Sequence, residues 1–318
     1  MASLSRSSDE EVYMKPALRP IVWILISTLW LLPTPALSDA FGAYWYQGKA
    51  EITSYDLSQA RYGEIHEGHA VLIFVTEDLS ASRQVKLDEP SSAGAEAIKV
   101  LKLNTTRKFT TGIYPYSMMT SVFTPVYADR YPQTLKVTTS SQEWCGHTFT
   151  QLNLVDGAYR ARLMSYFERE GDRDLIWSDG IPEDEIWNRI RLNPSTLPSG
   201  SVRIIPGTIY QRLKHRAWGV YEAEAAVEAH ATDADLRVYT LVFDRIGRRL
   251  SITFRSAFPH EIESWEETSR SGFGPAETEL TTRAKLRKRI VTDYWRQNKN
   301  EHAYLRGALG LEMSRARN

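Results

Sequence analysis

The stretch Gln142-Glu143-Trp144-Cys145-Gly146-His147 holds the only cysteine of the 318-residue chain between a carboxylate and an imidazole. These are the residue types of a thiol nucleophile, its base and an acidic partner. On a β-strand, Glu143, Cys145 and His147 share one face, with neighbouring side chains roughly 6–7 Å apart at a rise of about 3.3 Å per residue. A direct hydrogen bond between Cys145 and His147 then requires a bulge at Gly146. The competing expectation is structural: a small, buried Cys145 packed beside a core Trp144.

A metal site is the second chemistry the residue types suggest. His66 and His69 flank Glu67-Gly68, which reads as a hairpin turn, and His147 or His260 would be a third ligand. Structural zinc sites close with four ligands at recognisable Cys/His spacing, which this chain lacks, so no metal is expected. Neither a glycine-rich phosphate loop nor any other cofactor motif is present, and no cofactor is expected.

Aromatic residues offer a third possibility, binding rather than catalysis. Tyr46, Tyr62, Tyr114, Tyr116 and Trp144 are candidate ligand-binding residues, because large rings with polar tips suit a groove for a lipid, glycan or peptide. The competing expectation, which carries more weight, is that these rings form the aromatic core of a large sheet.

The elements that must position these residues are mostly strands. Leu135, Val137 and Thr139 alternate with Lys136 and Thr138, and Tyr159 to Leu163 repeats that period of two. Asp156-Gly157 tolerates positive φ at both positions and predicts a hairpin. Asp244-Arg245-Ile246-Gly247 predicts another. Ala70 to Val75 does not alternate and reads as a central strand buried on both faces. Strands are expected at about 70–76, 134–140, 158–166, 236–243 and 250–258, and the aromatic run from Tyr44 is read as the start of the β stretch. At Asp179-Gly180-Ile181-Pro182 the pattern changes. Pro182, the acids 183–185 and the late Arg189 and Arg191 predict a short helix over 182–192 that buries Ile186, Trp187 and Ile190.

Residues 15–38 have the order of a secretory leader: basic Lys15 and Arg19, about 12 largely apolar positions from Ile21 to Leu32, then Pro33-Thr34-Pro35-Ala36-Leu37-Ser38. The apolar run is shorter than the roughly 20 residues of a membrane span. Residues 1–38 are therefore expected to be a signal peptide, with Met1 or Met14 as the start, and an uncleaved anchor as the alternative. Residues 39–282 are expected to form the β-rich domain, with a possible sub-boundary near 180. Residues 283–318 form a basic tail of net charge +7 that pattern alone leaves open between helix and added strand. One cysteine allows no internal disulfide and offers no lipidation site near the leader. The formal net charge is zero, so no global field recruits nucleic acid, and no nucleic-acid partner is expected.

Two likenesses bear on fold. The stretches Tyr44 to Ile52, Gln59 to Glu64, Val71 to Asp78, Gln142 to His147 and Ser264-Trp265-Glu266-Glu267 resemble an uncharacterised family of bacterial secreted proteins and lipoproteins. That family is sometimes labelled septum formation inhibitor Maf, but it lacks the Maf motif. Leu79-Ser80-Ala81-Ser82-Arg83 resembles the Ser-x-Ser-Pro-Arg-Arg loop of Maf nucleotide pyrophosphatases without its proline and second arginine. The helix over 182–192 followed by a strand series is also similar to LolA-like periplasmic half-barrels, which implies a curved antiparallel sheet around helices or a lipid chain. Mainly β structure is thus expected, as a large curved antiparallel sheet or half-barrel. The expected function is a soluble periplasmic or secreted binding or carrier protein for an apolar or amphipathic envelope molecule such as a lipid, held on the concave face. The alternatives are a cysteine-dependent hydrolase at Glu143, Cys145 and His147, and a structural protein meeting an envelope partner through the basic tail.

Overall fold

Asp156 and Gly157 both adopt positive φ, 52° and 77°, and the strands they join pair from Val155 opposite Ala158 onward. The computed structural model describes residues 37–312 and repeats this hairpin step along the chain. Apart from positions 37 and 38, the expected leader lies outside the described residues. Strands β1 (Ala50–Arg61), β2 (Glu64–Ser80), β3 (Ala97–Thr111), β4 (Tyr114–Pro125), β5 (Lys136–Glu143), β6 (Gly146–Val155), β7 (Ala158–Ser165) and β8 (Arg173–Trp177) form a first meander. The two-residue β9 (Ile181–Pro182) leads into a second, through β10 (Gly200–Ile205), β11 (Tyr221–Ala229), β12 (Leu236–Phe243), β13 (Arg248–Arg255), β14 (Ile262–Ser271) and β15 (Thr278–Thr292). All lie in one 15-stranded sheet, ordered β8 down to β1, then β15 down to β9. The expected mainly β architecture is what the chain forms, although the strand expected over 250–258 ends at Arg255.

The sheet is strongly curled. β3 and β14 stand four strand steps apart, which on a flat sheet would be about 19 Å. Their side chains nevertheless meet, Arg107 Nη2 donating to Glu267 Oε1 at 2.6 Å. The concave face is filled by the chain itself. A 3-10 turn over Glu183–Glu185 runs into α2 (Ile186–Leu192), and α3 (Thr208–Lys214) follows β10. Ile186, Trp187, Ile190, Ile209 and Leu213 join one core with inward residues of both meanders, among them Leu57, Leu72, Leu103, Val137, Leu241 and Ile252.

Three expectations are corrected. The helix returns the chain to the same end of the sheet, so β9 and β10 pair in parallel within an otherwise antiparallel sheet. Tyr44 and Trp45 belong not to a strand but to a helix, α1 (Leu37–Trp45), because Trp45 is buried against Phe74 and Tyr44 packs on Phe258. The boundary drawn at 282/283 falls inside β15, which pairs with both β1 and β14. Beyond β15, Leu309 packs on Ala50, Ile52, Val71 and Val75 on the outer face. Ser54 Oγ donates to the Leu309 carbonyl at 2.5 Å. That cover explains the run without alternation: Ala70, Leu72 and Phe74 face the core, while Val71 and Val75 lie under the C-terminal segment.

Buried ion pairs tie the helical segment to the sheet. Arg191 of α2 forks onto Glu51 of β1 at 2.5 and 2.7 Å. Arg212 of α3 donates to Glu143 of β5 at 3.2 Å. Glu183 receives both Nη atoms of Arg248 on β13, whose Nη2 also reaches Glu267 at 3.4 Å. Removing one partner of such a pair leaves a buried charge without compensation. Arg248→Leu is expected to lower stability by roughly 3–5 kcal/mol, read as a drop in the urea midpoint.

Asp184 adds a pH dependence. Burial pushes its carboxyl up to about 7, the Thr208 backbone N–H at 3.0 Å pulling the other way and the Glu183 charge adding to the rise. An unfolded Asp titrates near about 3.9. The folded state therefore holds the extra proton between the two values. Its contribution is full below the unfolded pKa and is lost as pH rises through the folded one. Asp184→Asn is expected to flatten that decline, by up to about 1.4 kcal/mol per pH unit crossed, in denaturation curves taken from acid to mildly alkaline pH.

Candidate functional site

Antiparallel pairing sends alternate hairpins to the same end of a meander. The connections after β1, β3, β5, β7 and β14 therefore share one end of the half-barrel, where α3 also finishes. Tyr62, Tyr114 and Trp144 sit in the first three of these hairpins, and Phe273 in the last. Tyr62 and Phe273 have ring centroids 5.7 Å apart, and Tyr114 and Trp144 lie 6.3 Å apart. Tyr62 and Tyr116 share a hydroxyl hydrogen bond of 2.8 Å. Four of the ring positions named from the sequence thus meet at one mouth. Tyr116 is buried there, stacked on Phe109 at 4.7 Å. Tyr46 stands apart, following α1, with the Lys99 ammonium 6.0 Å from its ring.

Charged groups organise the mouth behind the rings. Arg61, the last residue of β1, lies 4.1 Å over the Tyr62 ring and donates to its hydroxyl at 3.1 Å. It also donates to the Leu213 carbonyl near the end of α3. His215 ends that helix in a left-handed conformation, φ 51°, and its ring joins the Glu170 carboxylate through Nδ1. Burial works to raise the Glu170 carboxyl, but the His215 hydrogen bond and nearby cations bring it below its ordinary value. Arg212 stacks 4.6 Å from the Phe167 ring while holding Glu143, and burial lowers its pKa. Burial, with Arg61 nearby, also pushes the Lys214 ammonium down to about 8.

Between the β7–β8 connection and the exit of α3 lies an open cleft of about 500 Å³. Phe167, Trp218 and Phe273 supply its apolar walls and Arg169, Arg173 and Arg216 its cations, with the carboxylates of Glu168 and Glu170 also on its lining, Glu170 engaged by His215. Among the described residues none of these three guanidiniums belongs to an ion pair. Sequence reasoning missed Arg61, Glu170, Arg212, His215 and the cleft arginines. The available signal was compositional: Tyr-Phe-Glu-Arg-Glu at 166–170 and His-Arg-Ala-Trp at 215–218 mix rings and charges in stretches outside the alternating pattern.

The Glu143, Cys145 and His147 set does not share a strand face. Glu143 and Gly146 pair across a two-residue turn, so Trp144 and Cys145 form its tip. Glu143 turns inward to Arg212, while His147 is exposed at the start of β6. Both Trp144 and Cys145 are exposed, which corrects the expected burial of the pair. Tyr166 fixes this turn, for a Cβ at Gly146 would come within 2.7 Å of its ring. The Cys145 backbone N–H donates to Glu143 Oε2 at 2.7 Å. Hydrogen bonding to Glu143 raises the thiol pKa, opposite to the shift that activates a thiol nucleophile.

The remaining candidates lie elsewhere. His66 and His69 stand within β2, three residues apart and so on opposite faces, rather than around a turn. Among the described residues no group of three or more His, Cys, Asp or Glu is placed to hold a metal. The Ser80 and Ser82 hydroxyls both donate to Glu96 Oε1, so the serine loop binds a carboxylate of its own chain. In β15, Arg283 pairs with Glu266 at 2.9 Å and Arg287 with Asp56 at 3.4 Å.

No family model and no curated protein matches the chain. Among solved structures, a β-barrel-like protein of the domain of unknown function DUF1849 from Brucella abortus superposes with a TM-score of 0.46 at 12% identity, over 77% of this chain and 98% of that one. A porin-like protein from Bacteroides uniformis gives 0.21 at 9% identity, over 76% and 95%. Likenesses at these levels carry no argument about function. The half-barrel itself rests on the strand order and on the Arg107–Glu267 contact.

An exposed thiol with a raised pKa has a distinct signature. Cys145 is expected to alkylate to completion with iodoacetamide in the native protein, slowly at neutral pH and faster as pH rises, with His147→Ala leaving the rate unchanged. Labelling that requires denaturant would contradict the exposed turn.

Proposed function

We propose that the protein is a binding or carrier protein for an amphipathic molecule with an anionic head, held in the cleft at the mouth of the half-barrel. The carrying observation is the pairing in one cleft of Phe167, Trp218 and Phe273 with the guanidiniums of Arg169, Arg173 and Arg216. Aromatic walls take up apolar surface, and planar guanidiniums match a phosphate or carboxylate through two parallel hydrogen bonds. The concave face, where a lipid-carrying half-barrel would hold its ligand, is occupied here by α2 and α3. A cavity between them and the sheet measures about 20 Å³, room for about one water molecule. The leader-like order of residues 15–38 supports action in the periplasm or after secretion, where anionic amphiphiles of the envelope are at hand.

The test is titration with lyso-phosphatidylglycerol below its micelle concentration, followed by tryptophan fluorescence and calorimetry. Saturable binding is expected, weakened roughly tenfold or more by Arg173→Ala with Arg216→Ala, about 1.4 kcal/mol or more. Trp218→Ala should reduce affinity further and remove most of the fluorescence response. Absence of saturable binding, or affinity unchanged in the arginine variant, would refute the proposal.

A further inference from the structure

We propose that the hairpin end of the half-barrel docks on the surface of a lipid bilayer. Four large apolar side chains, each from a different connection, protrude from this end. Ile113 is 80% exposed, Tyr166 and Phe273 are each 68% exposed, and Trp144 is 67% exposed. They come from the turns after β3, β7, β14 and β5, which the antiparallel order brings together. Contacts make them one rim: Phe273 lies by Tyr62, Tyr114 beside Ile113 lies by Trp144, and Tyr166 packs over Gly146 next to Trp144. Turn tips are the positions where exposed apolar groups can most easily be replaced by polar ones, and isolated exposed side chains are ordinary. Large side chains at four separate tips of one end form a patch instead. At the opposite end the β6–β7 turn is Asp156-Gly157 and residues 230–235 read His-Ala-Thr-Asp-Ala-Asp, and the large ring exposed there in the β4–β5 connection, Tyr127 at 55%, has no such cluster of tips around it in these two turns.

Chemistry selects a bilayer as the occupant. Tryptophan, tyrosine and phenylalanine with an aliphatic residue favour the boundary between head groups and acyl chains. The guanidiniums of Arg169, Arg173 and Arg216, without an ion pair among the described residues although Arg173 donates to the Arg169 carbonyl at 2.7 Å, stand beside Phe273 at the same end, and their sign is complementary to anionic head groups. The apolar side chains sit at turn tips rather than along the strands, so the contact they offer is with the bilayer surface. Docking depends on the tips and not on what the cleft holds.

The native chain supplies the probe. Cys145 is its sole thiol and sits at the tip beside Trp144. The full chain, labelled there with a nitrobenzoxadiazole dye, is mixed with vesicles of phosphatidylethanolamine and phosphatidylglycerol. Blue-shifted, brighter emission is expected. A second protein, carrying Cys145→Ser with Thr232→Cys at the opposite end, should give no shift, which separates docking through the tips from insertion of the apolar run at 21–32. Ile113→Ser with Trp144→Ser should weaken vesicle partition of the Cys145-labelled chain by roughly tenfold or more. Its unfolding curve should be unchanged, because both side chains are exposed. These residues do not line the cleft, so lyso-phosphatidylglycerol binding should survive in this variant. Emission at 145 unaltered by vesicles, an equal response at 232, or partition unaffected by the double substitution would overturn the proposal.

Discussion

Backbone pairing of β1 with β15 joins residues from opposite ends of the described chain. Ala50 stands opposite Thr292 and Ser58 opposite Arg283. Without this ladder the two meanders would be separate sheets with four edges; with it they are one sheet whose arms curl around a shared core. The pairing also sets the fate of the basic segment. Ala284 and Leu286 face the core, so Arg283, Lys285 and Arg287, which alternate with them, face out, where Arg283 and Arg287 find Glu266 and Asp56. So non-local a contact closes a long loop before it is rewarded, which makes it a late and slow step in folding.

A curled sheet of this width needs more apolar filling than its own inward side chains provide, and residues 183–214 supply it. The chain crosses the concavity twice, as α2 between β9 and β10 and as α3 between β10 and β11, while β8 and β9, the one consecutive pair in the sheet that is not hydrogen-bonded, form its two edges. The inserted helices are short and bring charges inward, and three of these meet a partner projecting from the sheet: Arg191 with Glu51, Glu183 with Arg248, Arg212 with Glu143. Such pairs add little net stability over apolar packing but penalise any placement that separates them. They fix where α3 ends and hence where the mouth lies. Arg61 and Lys214 extend that control, Arg61 donating to the Leu213 carbonyl and Lys214 donating to the Arg270 carbonyl at 2.7 Å.

Local patterns were legible in the sequence and tertiary choices were not. Asp156-Gly157 specifies its hairpin through backbone conformation alone, and Asp244 to Gly247 makes the second predicted turn, with Gly247 at φ 56°. Pro182 and the acids after it precede a helix that begins at Ile186 rather than at 182 and buries the expected Ile186, Trp187 and Ile190, together with Asn188 and Arg191, which the pattern does not mark as buried. The Cys145 region failed because Gln142 to His147 carries no turn pair of the Asp-Gly or Asn-Gly kind and so reads as continuous strand. What turns it is the packing of Tyr166 on Gly146, a contact between residues with no sequence signal in common. α3 went unseen because Thr208-Ile209-Tyr210 favours a strand by propensity, and its helical state is imposed by burial among Glu183, Thr139 and Glu143. Aromatic residues near the mouth were visible as a composition. Their meeting depended on hairpin parity, and the arginine partners depended on the course of α3.

Hairpin parity also bears on the asymmetry of the molecule. In an up-and-down meander every second connection lies at the same end, so a chain can differentiate its two ends by placing one composition in odd connections and another in even ones. Here Ile113, Trp144 and Tyr166 occupy the connections after β3, β5 and β7 and Phe273 the one after β14, because the parallel β9–β10 pair exchanges odd and even between the two meanders; Asp156-Gly157 and the polar 230–235 turn lie at the other end. No such rule governs the two faces. The inner face is fixed by core packing, and part of the outer face over β1, β2 and β15 is covered by the C-terminal segment. The end carrying the cleft is thus the part of this fold where large side chains can be exposed together without disturbing either the core or the pairing of strands. Side chains at those tips are constrained hardly at all by the sheet that presents them, as is general for the loops of a rigid scaffold.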